Sequence, residues 1–324
     1  GLRAWDRRQV LRRGTAMVAG GGLIAVATAC EPTSSTIGFG RNLITDFGAV
    51  GDGVTDDTAA VQRAIRHVDG VIEPTQGGVT GGWIFVPQGE YLISKTIELD
   101  RFAGVIQGTG VGNLPTYSSG ASAGAGSGFK WNGAAGQPMF RLTDSAYVGI
   151  RNLLFLGADA AQPSAAIDLH GTNGGVGTNG EIVIEDCVFG RYPWTRGTDT
   201  CRMRAGVTLT GVNVNNDQFR IVRCQFLGPM DVGLHVTNTQ SVWGSATDCT
   251  FTEMTRGVST VASLMLMNPQ FNWCDTDLDV HSTAKVQVTG YQSEHSAQCA
   301  RLGAAAQLRI DGGFCLLDST RMPA

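Results

Sequence analysis

The sequence predicts an all-β protein, a solenoid of parallel strands (a parallel β-helix) with one α-helix near its N-terminal end. Three observations predict it. A short motif ending in Phe recurs through the second half of the chain. The 45 glycines follow no G-X-Y period, which excludes collagen, and sit among short β-rich runs, as a fold made of many turns requires. Residues 44–65, ITDFGAVGDGVTDDTAAVQRAI, set a strand, a glycine-punctuated turn and a helix in fixed order. At 324 residues, 42% hydrophobic and 16% charged, the chain is long enough to bury a large core.

Residues 1–29 read as an export address and stand outside the fold. Arg7-Arg8-Gln9-Val10-Leu11 resembles a twin-arginine motif, and an apolar, glycine-rich run follows from Ala16 to Ala29. That run is too short to span a bilayer comfortably. Ala27-Thr28-Ala29-Cys30 fits both lipid attachment at Cys30 and ordinary signal-peptidase cleavage at the same bond. The expected location is the cell envelope or the extracellular space, with membrane contact only through Cys30. Removing residues 1–29 takes five Arg and one Asp from the 24 basic and 28 acidic side chains, leaving 19 and 27, a net charge of −8. Such a balance argues against nucleic acid as a partner, because affinity for phosphate backbones rests on clustered positive charge. The first residue is Gly and not Met, as in a fragment, and a truncated C-terminus is compatible with that. Residues 30–41 read as a linker.

Ile44 to Phe47 is a short apolar strand, and Gly48, Gly51 and Gly53 supply the positive-φ positions of tight turns. Asp56, Asp57 and Thr58 offer side-chain oxygens to the free N–H groups of a helix whose apolar positions are Ala60, Val61, Ala64, Ile65 and Val68. Helix capping explains these aspartates better than catalysis does. The stretch resembles the N-terminal signature of the pectate-lyase superfamily, which includes rhamnogalacturonase- and epimerase-like proteins and phage tailspikes. The resemblance implies a single-stranded, right-handed parallel β-helix over residues 42–324, its open end plugged by the helix. It also implies a carbohydrate-active protein: a lyase or glycoside hydrolase acting on an acidic, pectin-like polysaccharide, or a non-catalytic glycan-binding, adhesive or spike-like module. No cofactor is certain, and Ca²⁺ would suit a lyase.

Strand and turn alternate next in WIFVPQGEYLI (83–93), TIELD (96–100) and VIQGTGVGN (105–113). Gly108, Gly110 and Gly112 imitate a dinucleotide loop, but no helix follows, so a solenoid corner is the better assignment. The run 118–128, SSGASAGAGSG, reads as a loop. Then come the repeats: IRNLLF (150–155), IVIEDCVF (182–189), FRIVRCQF (219–226), GSATDCTF (244–251) and LMNPQF (266–271), with echoes at 286–293 and 308–315. The intervals along the series Phe155, Phe189, Phe226, Phe251 and Phe271 drift and shorten toward its end. A drifting period of this kind suits a coil whose loops grow freely, and the last intervals are too short to hold a four-stranded propeller blade. Cys187, Cys224 and Cys249 each precede their Phe by two positions and should form a buried, unbridged thiol column. Register keeps Cys274 out of it, and no Cys/His spacing matches a zinc site.

A groove along one outer face would take a linear glycan. After each Phe a second short strand begins, and its first residues form the expected column Asp231, Arg256, Asp277, Gln298, with Glu253, Asp275, Glu294 and His295 beside it. CDTDLDV (274–280) loosely resembles the Asn-Thr-Asp-Gly-Ile-Asp pattern of polygalacturonase-type hydrolases, which puts Asp277 in the place of a catalytic acid but lacks the Asn and the Gly. Inverting hydrolysis needs two carboxyls about 6.5–9.5 Å apart. A lyase needs a base near the C5 proton of a uronate and a cation at its carboxylate. The expected catalytic set is Asp277, Asp275, Glu253, Arg256, Glu294 and His295, with Trp273 and Asp231 binding substrate and no metal. An exposed Asp/Arg ladder that only solvates the solenoid is the plainer alternative. Trp194, Trp243 and Tyr192 offer further sugar-stacking faces. His170, His235 and His281, on or beside apolar strands, read as structural.

Overall fold

The structure is a computed structural model, which describes residues 40–68, 81–111, 126–172, 179–191, 200–211, 216–318 and 320. The twin-arginine motif, Cys30, the linker as far as residue 39, the run 118–125, Tyr192 and Trp194 lie outside the described residues. No helix among the described residues is long and apolar enough to cross a membrane.

The strands pair in parallel, each with its counterpart one coil on, in three stacks. The first carries the Phe column: Tyr91 pairs with Phe129, Phe129 with Phe155, and the line continues through Phe189, Phe226, Phe251 and Phe271 to Ser293 and Cys315. The second runs from Ile97–Asp100 through Phe140–Thr143, Ile167–Gly171 and Ala205–Gly211 to Thr276–Val280 and Ala300–Leu302. The third begins with Arg41–Asn42, Gly82–Val86 and Gly104–Gly108 and ends in the first halves of Lys285–Glu294 and Gln307–Leu316. The repeating-coil reading of the sequence is therefore met by a solenoid of parallel strands.

Each stack turns one row of side chains inward. Along the Phe column, rings from Phe155 to Phe271 stack at 5.4, 4.8, 4.8 and 5.1 Å between centroids, all within 16° of parallel. That spacing follows from the distance of about 4.8 Å between neighbouring strands. Three residues before each Phe the chain turns with positive φ, at Asn152, Asp186, Arg223, Asp248 and Asn268. Asn and Asp tolerate this left-handed conformation best, which is why a polar residue recurs there in the repeats. Just inside the turn, Cys187, Cys224 and Cys249 are buried and free, each Sγ donating to backbone carbonyls.

The helix Thr58–Val68 buries Ala60, Val61, Ala64, Ile65 and Val68, as its spacing predicts, and packs beside Gly82–Val86 and Ile97–Asp100. Capping is divided differently than the sequence suggests. Asp56 Oδ1 accepts from the Thr58 N–H and hydroxyl, but the buried Asp57 carboxylate turns back to accept from the N–H groups of Val50 (2.7 Å) and Gly51 (3.0 Å). Asp57 thus fastens the glycine turn to the helix start instead of capping free helical N–H groups.

Candidate functional site

The expected column Asp231, Arg256, Asp277, Gln298 is not a column. Arg256 stands in register with Val232 below and Thr276 above, and Asp231 is aligned with Thr255 and Asp275. For Asp231 the cause is a bulge in Gln225–Val236: Leu227 pairs with Thr252 and Met230 with Met254, so Gly228 and Pro229 together face Glu253. Equal counting from the Phe therefore slips by one residue. Asp277 falls one place past Thr276, opposite Gly257, while Gln298 continues the row of Arg256 and Thr276.

Corrected for the bulge, four of the eight expected residues converge. Asp231, Glu253, Trp273 and Asp275 line an outer groove of about 640 Å³ at the corner between the first and second stacks, with Arg202, Pro229, Met230, Met254 and Thr255. Glu253, Trp273 and His295 all have positive φ, 54–59°, at equivalent positions of successive coils. The His295 ring lies on that of Trp273 at 5.5 Å and 10°. Glu294 is exposed one residue before, on the first stack. Arg202 gave no signal in sequence, since it lies on no repeat.

Asp277 is the principal correction. Its side chain is 0% exposed and points into the solenoid, where Tyr291 Oη donates to Oδ2 at 2.5 Å and Oδ1 has no hydrogen-bond partner. Burial pushes its carboxyl up to about 6. Register explains the inward aim. Asp277 is equivalent to Gly206, Gly233 and Gly257, where a Cβ would stand 2.4–2.5 Å from the ring of the next coil's Phe226, Phe251 or Phe271. At Asp277 the next coil has Ser293 in place of Phe, which leaves room for the carboxylate. Asp277 and Arg256 consequently do not share a face.

Arg256 belongs instead to a charged cluster on the outer face of the second stack. Leu278 and Val280 point inward, so Asp279 and His281 point outward. His281 Nε2 is 2.8 Å from Asp279 Oδ2. Arg301, one coil on and in register with Asp279, donates from Nε to Oδ1 (2.8 Å) and from Nη2 to Oδ2 (2.6 Å), and Arg256 Nη1 lies 3.5 Å from Oδ2. Asp279 itself is 1% exposed, whereas His281 and Arg301 are 39% and 56% exposed. Burial opposes ionisation of Asp279, but the Arg301 hydrogen bonds and the neighbouring charges outweigh it and hold the carboxyl below its usual range. His235 stands one coil before Ser259, which pairs with Asp279; burial, then the charges of Arg256 and His281, pull it below the usual histidine value.

The same outward position is polar on every coil: Glu98, Arg141, Asp168, Thr208, His235, Ser259, Asp279 and Arg301 follow in register. Asp168 is buried among Arg141 Nε (3.4 Å) and the donating hydroxyls of Thr208 (2.9 Å) and Thr210 (2.7 Å). Alternation with inward Leu and Val could have revealed Asp279 and Arg301; sequence reasoning followed Asp277 and passed over them. Among the described residues no group of three or more His, Cys, Asp or Glu is placed to hold a metal ion.

A solenoid of parallel coils with a polar ladder on one outer stack and an aromatic-floored groove at its corner defines a class, and the sequence comparison places the chain within it. Residues 40–297 match the family described as rhamnogalacturonase A/epimerase, pectate lyase-like, and the chain belongs to that family. Similarity to curated proteins is confined to short segments. It reaches 47% identity over 53 residues with mannuronan C5-epimerase AlgE1 of Azotobacter vinelandii, 16% of this chain and 3% of that protein. With the plasmin and fibronectin-binding protein A of Streptococcus pneumoniae it is 32% over 81 residues, 22% of this chain and 10% of that protein. The matches thus cover a tenth or less of the length of either relative. Two solved structures share the fold. The N-terminal fragment of bacteriophage Phi29 gene product 12 has a TM-score of 0.53 at 16% identity, covering 85% of this chain and 44% of that one. A DFA-IIIase mutant from Arthrobacter chlorophenolicus A6 has a TM-score of 0.52 at 14% identity, covering 86% and 68%.

Proposed function

We propose that the protein acts on an acidic polysaccharide lying along the second stack, and that its chemistry is removal of the C5 proton of a uronate. That step is common to β-elimination by a lyase and to C5 epimerisation, the activity named for the Azotobacter relatives. The observation that carries the proposal is the Asp279–His281 pair flanked by Arg256 and Arg301. A base for this step must be oriented and deprotonated, and the substrate carboxylate must be neutralised as charge moves onto it. Asp279, fixed by two arginines, accepts the Nε2 proton of His281 and so leaves the lone pair on Nδ1. Arg301 uses two of its five N–H groups on Asp279 and keeps the others for a ligand carboxylate. The regular coil spacing of about 4.8 Å matches the polar ladder to an extended chain molecule.

The test is product chemistry on a panel of uronate polysaccharides, with Ca²⁺ and with a chelator. Unsaturated uronate absorbing in the ultraviolet indicates a lyase, and exchange of the C5 hydrogen with solvent deuterium indicates an epimerase. His281→Gln should lower turnover by about 10²–10⁴ with glycan affinity retained; full activity in this variant refutes the assignment. A second reading has its own observation. Asp231 and Asp275, two coils apart in one column, are separated by about 10 Å, at the edge of the span for inverting hydrolysis, and they share a groove with Trp273. It predicts reducing ends without unsaturation, insensitivity to His281→Gln, and loss on Asp275→Asn. A purely adhesive module would yield neither product, and Trp273→Ala would then weaken glycan binding. We also infer that the coils wind right-handed, that the helix Thr58–Val68 closes their N-terminal end, and that residues 1–29 direct export. The resemblance of residues 44–65 and of Arg7-Arg8 supports these points.

A further inference from the structure

We propose that Cys299 and Cys315 form a disulfide that locks the last two coils of the solenoid together. In three consecutive coils an inward residue of the second stack touches the Phe of the following coil: Gly206 with Phe226, Gly233 with Phe251, Gly257 with Phe271. Continuing the same register by one coil brings Asp277 over Ser293. One coil further, Cys299 occupies the glycine position, because Leu278 pairs with Ala300, and Cys315 occupies the Phe position, because Ser293 pairs with Cys315. The two cysteines are the terminal members of two columns that meet pairwise in every coil, so their approach is built into the repeat.

The approach is close. The Sγ atoms lie 2.6 Å apart, far inside ordinary non-bonded contact, so that only a small further approach separates them from the roughly 2.05 Å of a covalent sulfur–sulfur bond. Both thiols are free here, and Cys315 is exposed, which gives an oxidant access. The other described cysteines, Cys187, Cys201, Cys224, Cys249 and Cys274, are buried. The surroundings give the bond a purpose. In the strand Gln307–Leu316, Ile310, Phe314 and Leu316 are exposed, and Cys315 instead of an aromatic ring occupies the Phe position. A covalent link there takes over the role of the ring stack. The chemistry is thiol–disulfide exchange with a low-molecular-weight disulfide. The Cys315 thiolate attacks one of its sulfurs and expels one thiol; the Cys299 thiolate then attacks Cys315 Sγ and expels the second. Two protein thiols are oxidised, and one disulfide is reduced to two thiols.

The experiment incubates the purified full chain with oxidised glutathione, blocks remaining thiols with a maleimide, and maps peptides by mass spectrometry with and without reduction. A Cys299–Cys315 peptide lighter by two hydrogen atoms is expected, with the buried cysteines unbridged and labelled only after denaturation. Limited proteolysis of the oxidised protein should spare residues 295–318 at least tenfold longer than in the reduced protein. Cys299→Ser and Cys315→Ser should each abolish that protection and leave one labelled thiol. Should either variant fail to fold, the wild-type map alone decides. Two freely labelled thiols after oxidation, or a bridge from either residue to another cysteine, overturns the proposal.

Discussion

Replacing Asp277 by Asn tests whether this carboxyl is a buried structural group or a working acid. In the folded protein burial raises its pKa to about 6, against an ordinary 3.8. A carboxyl raised on folding prefers the protonated state in the native protein, so the native state binds more protons than the unfolded chain between these two values. Stability is then greatest below about 3.8 and declines as pH rises through 6, above which the buried charge is fully present. The shift corresponds to about 3 kcal/mol at about 1.36 kcal/mol per pKa unit. Asn keeps an acceptor for the Tyr291 hydroxyl without the charge. Asp277→Asn should therefore be nearly neutral below pH 4 and stabilising by up to about 3 kcal/mol at pH 8. The assay is urea unfolding of both proteins, followed by circular dichroism at half-unit steps from pH 4 to pH 8. A difference that does not change with pH, or that grows toward acid, would refute the reasoning. Loss of turnover by orders of magnitude in a folded Asp277→Asn protein would restore the residue to the active site.

Three further outcomes follow from the geometry. Gly257→Ala would place a methyl 2.5 Å from Cδ1 of Phe271 and 2.8 Å from the Asp277 carbonyl, and the overpacking should lower unfolding free energy by about 1–3 kcal/mol; unchanged denaturant midpoints would show the register to be wrong. Cys224→Ser shortens the bond that carries the Sγ donor to the Ile184 and Val222 carbonyls and should cost about 1–3 kcal/mol where the buried hydroxyl does not reach them, while rapid thiol labelling of native Cys187, Cys224 or Cys249 would contradict their burial. Asp57→Ala removes two charge-assisted bonds and should destabilise by about 3 kcal/mol, more than the exposed Asp56→Ala at about 0.5–2 kcal/mol; equal losses would mean that both residues act only as helix caps.

The Phe column was legible in sequence because an interior ring must reappear at the same height of every coil, however long the intervening loops. The helix was legible from its apolar spacing, and the thiol column from its constant offset. The corner was not. Gly228 and Pro229 add one residue to one coil, a change that leaves hydrophobicity untouched but moves Asp231 off the row of Arg256. Asp277 misled for a related reason: its alternation with Leu278 suggests an outward side chain, while the turn at the corner aims it inward. Whether it points in or out depends on Ser293, which belongs to the following coil and carries no recognisable motif. Asp279 and His281 alternate with Leu278 and Val280 on one segment, but their meeting with Arg256 and Arg301 depends on pairing between coils, which no local pattern announces.

The replacement of a ring by Ser293 also bears on how the molecule comes apart. Coils of a solenoid touch only their neighbours, so cooperativity must be passed from one to the next. From Phe155 to Phe271 it passes through rings stacked within 16° of parallel; beyond them a single tilted contact remains, Phe271 on Tyr291 at 5.7 Å, and the Phe position is taken by Ser293, next to the buried Asp277 carboxylate. That layer is a fault line. Amide hydrogens of Lys285–Glu294 and Gln307–Leu316 should exchange as a separate, less protected unit, opening and closing while the coils carrying the aromatic column stay shut.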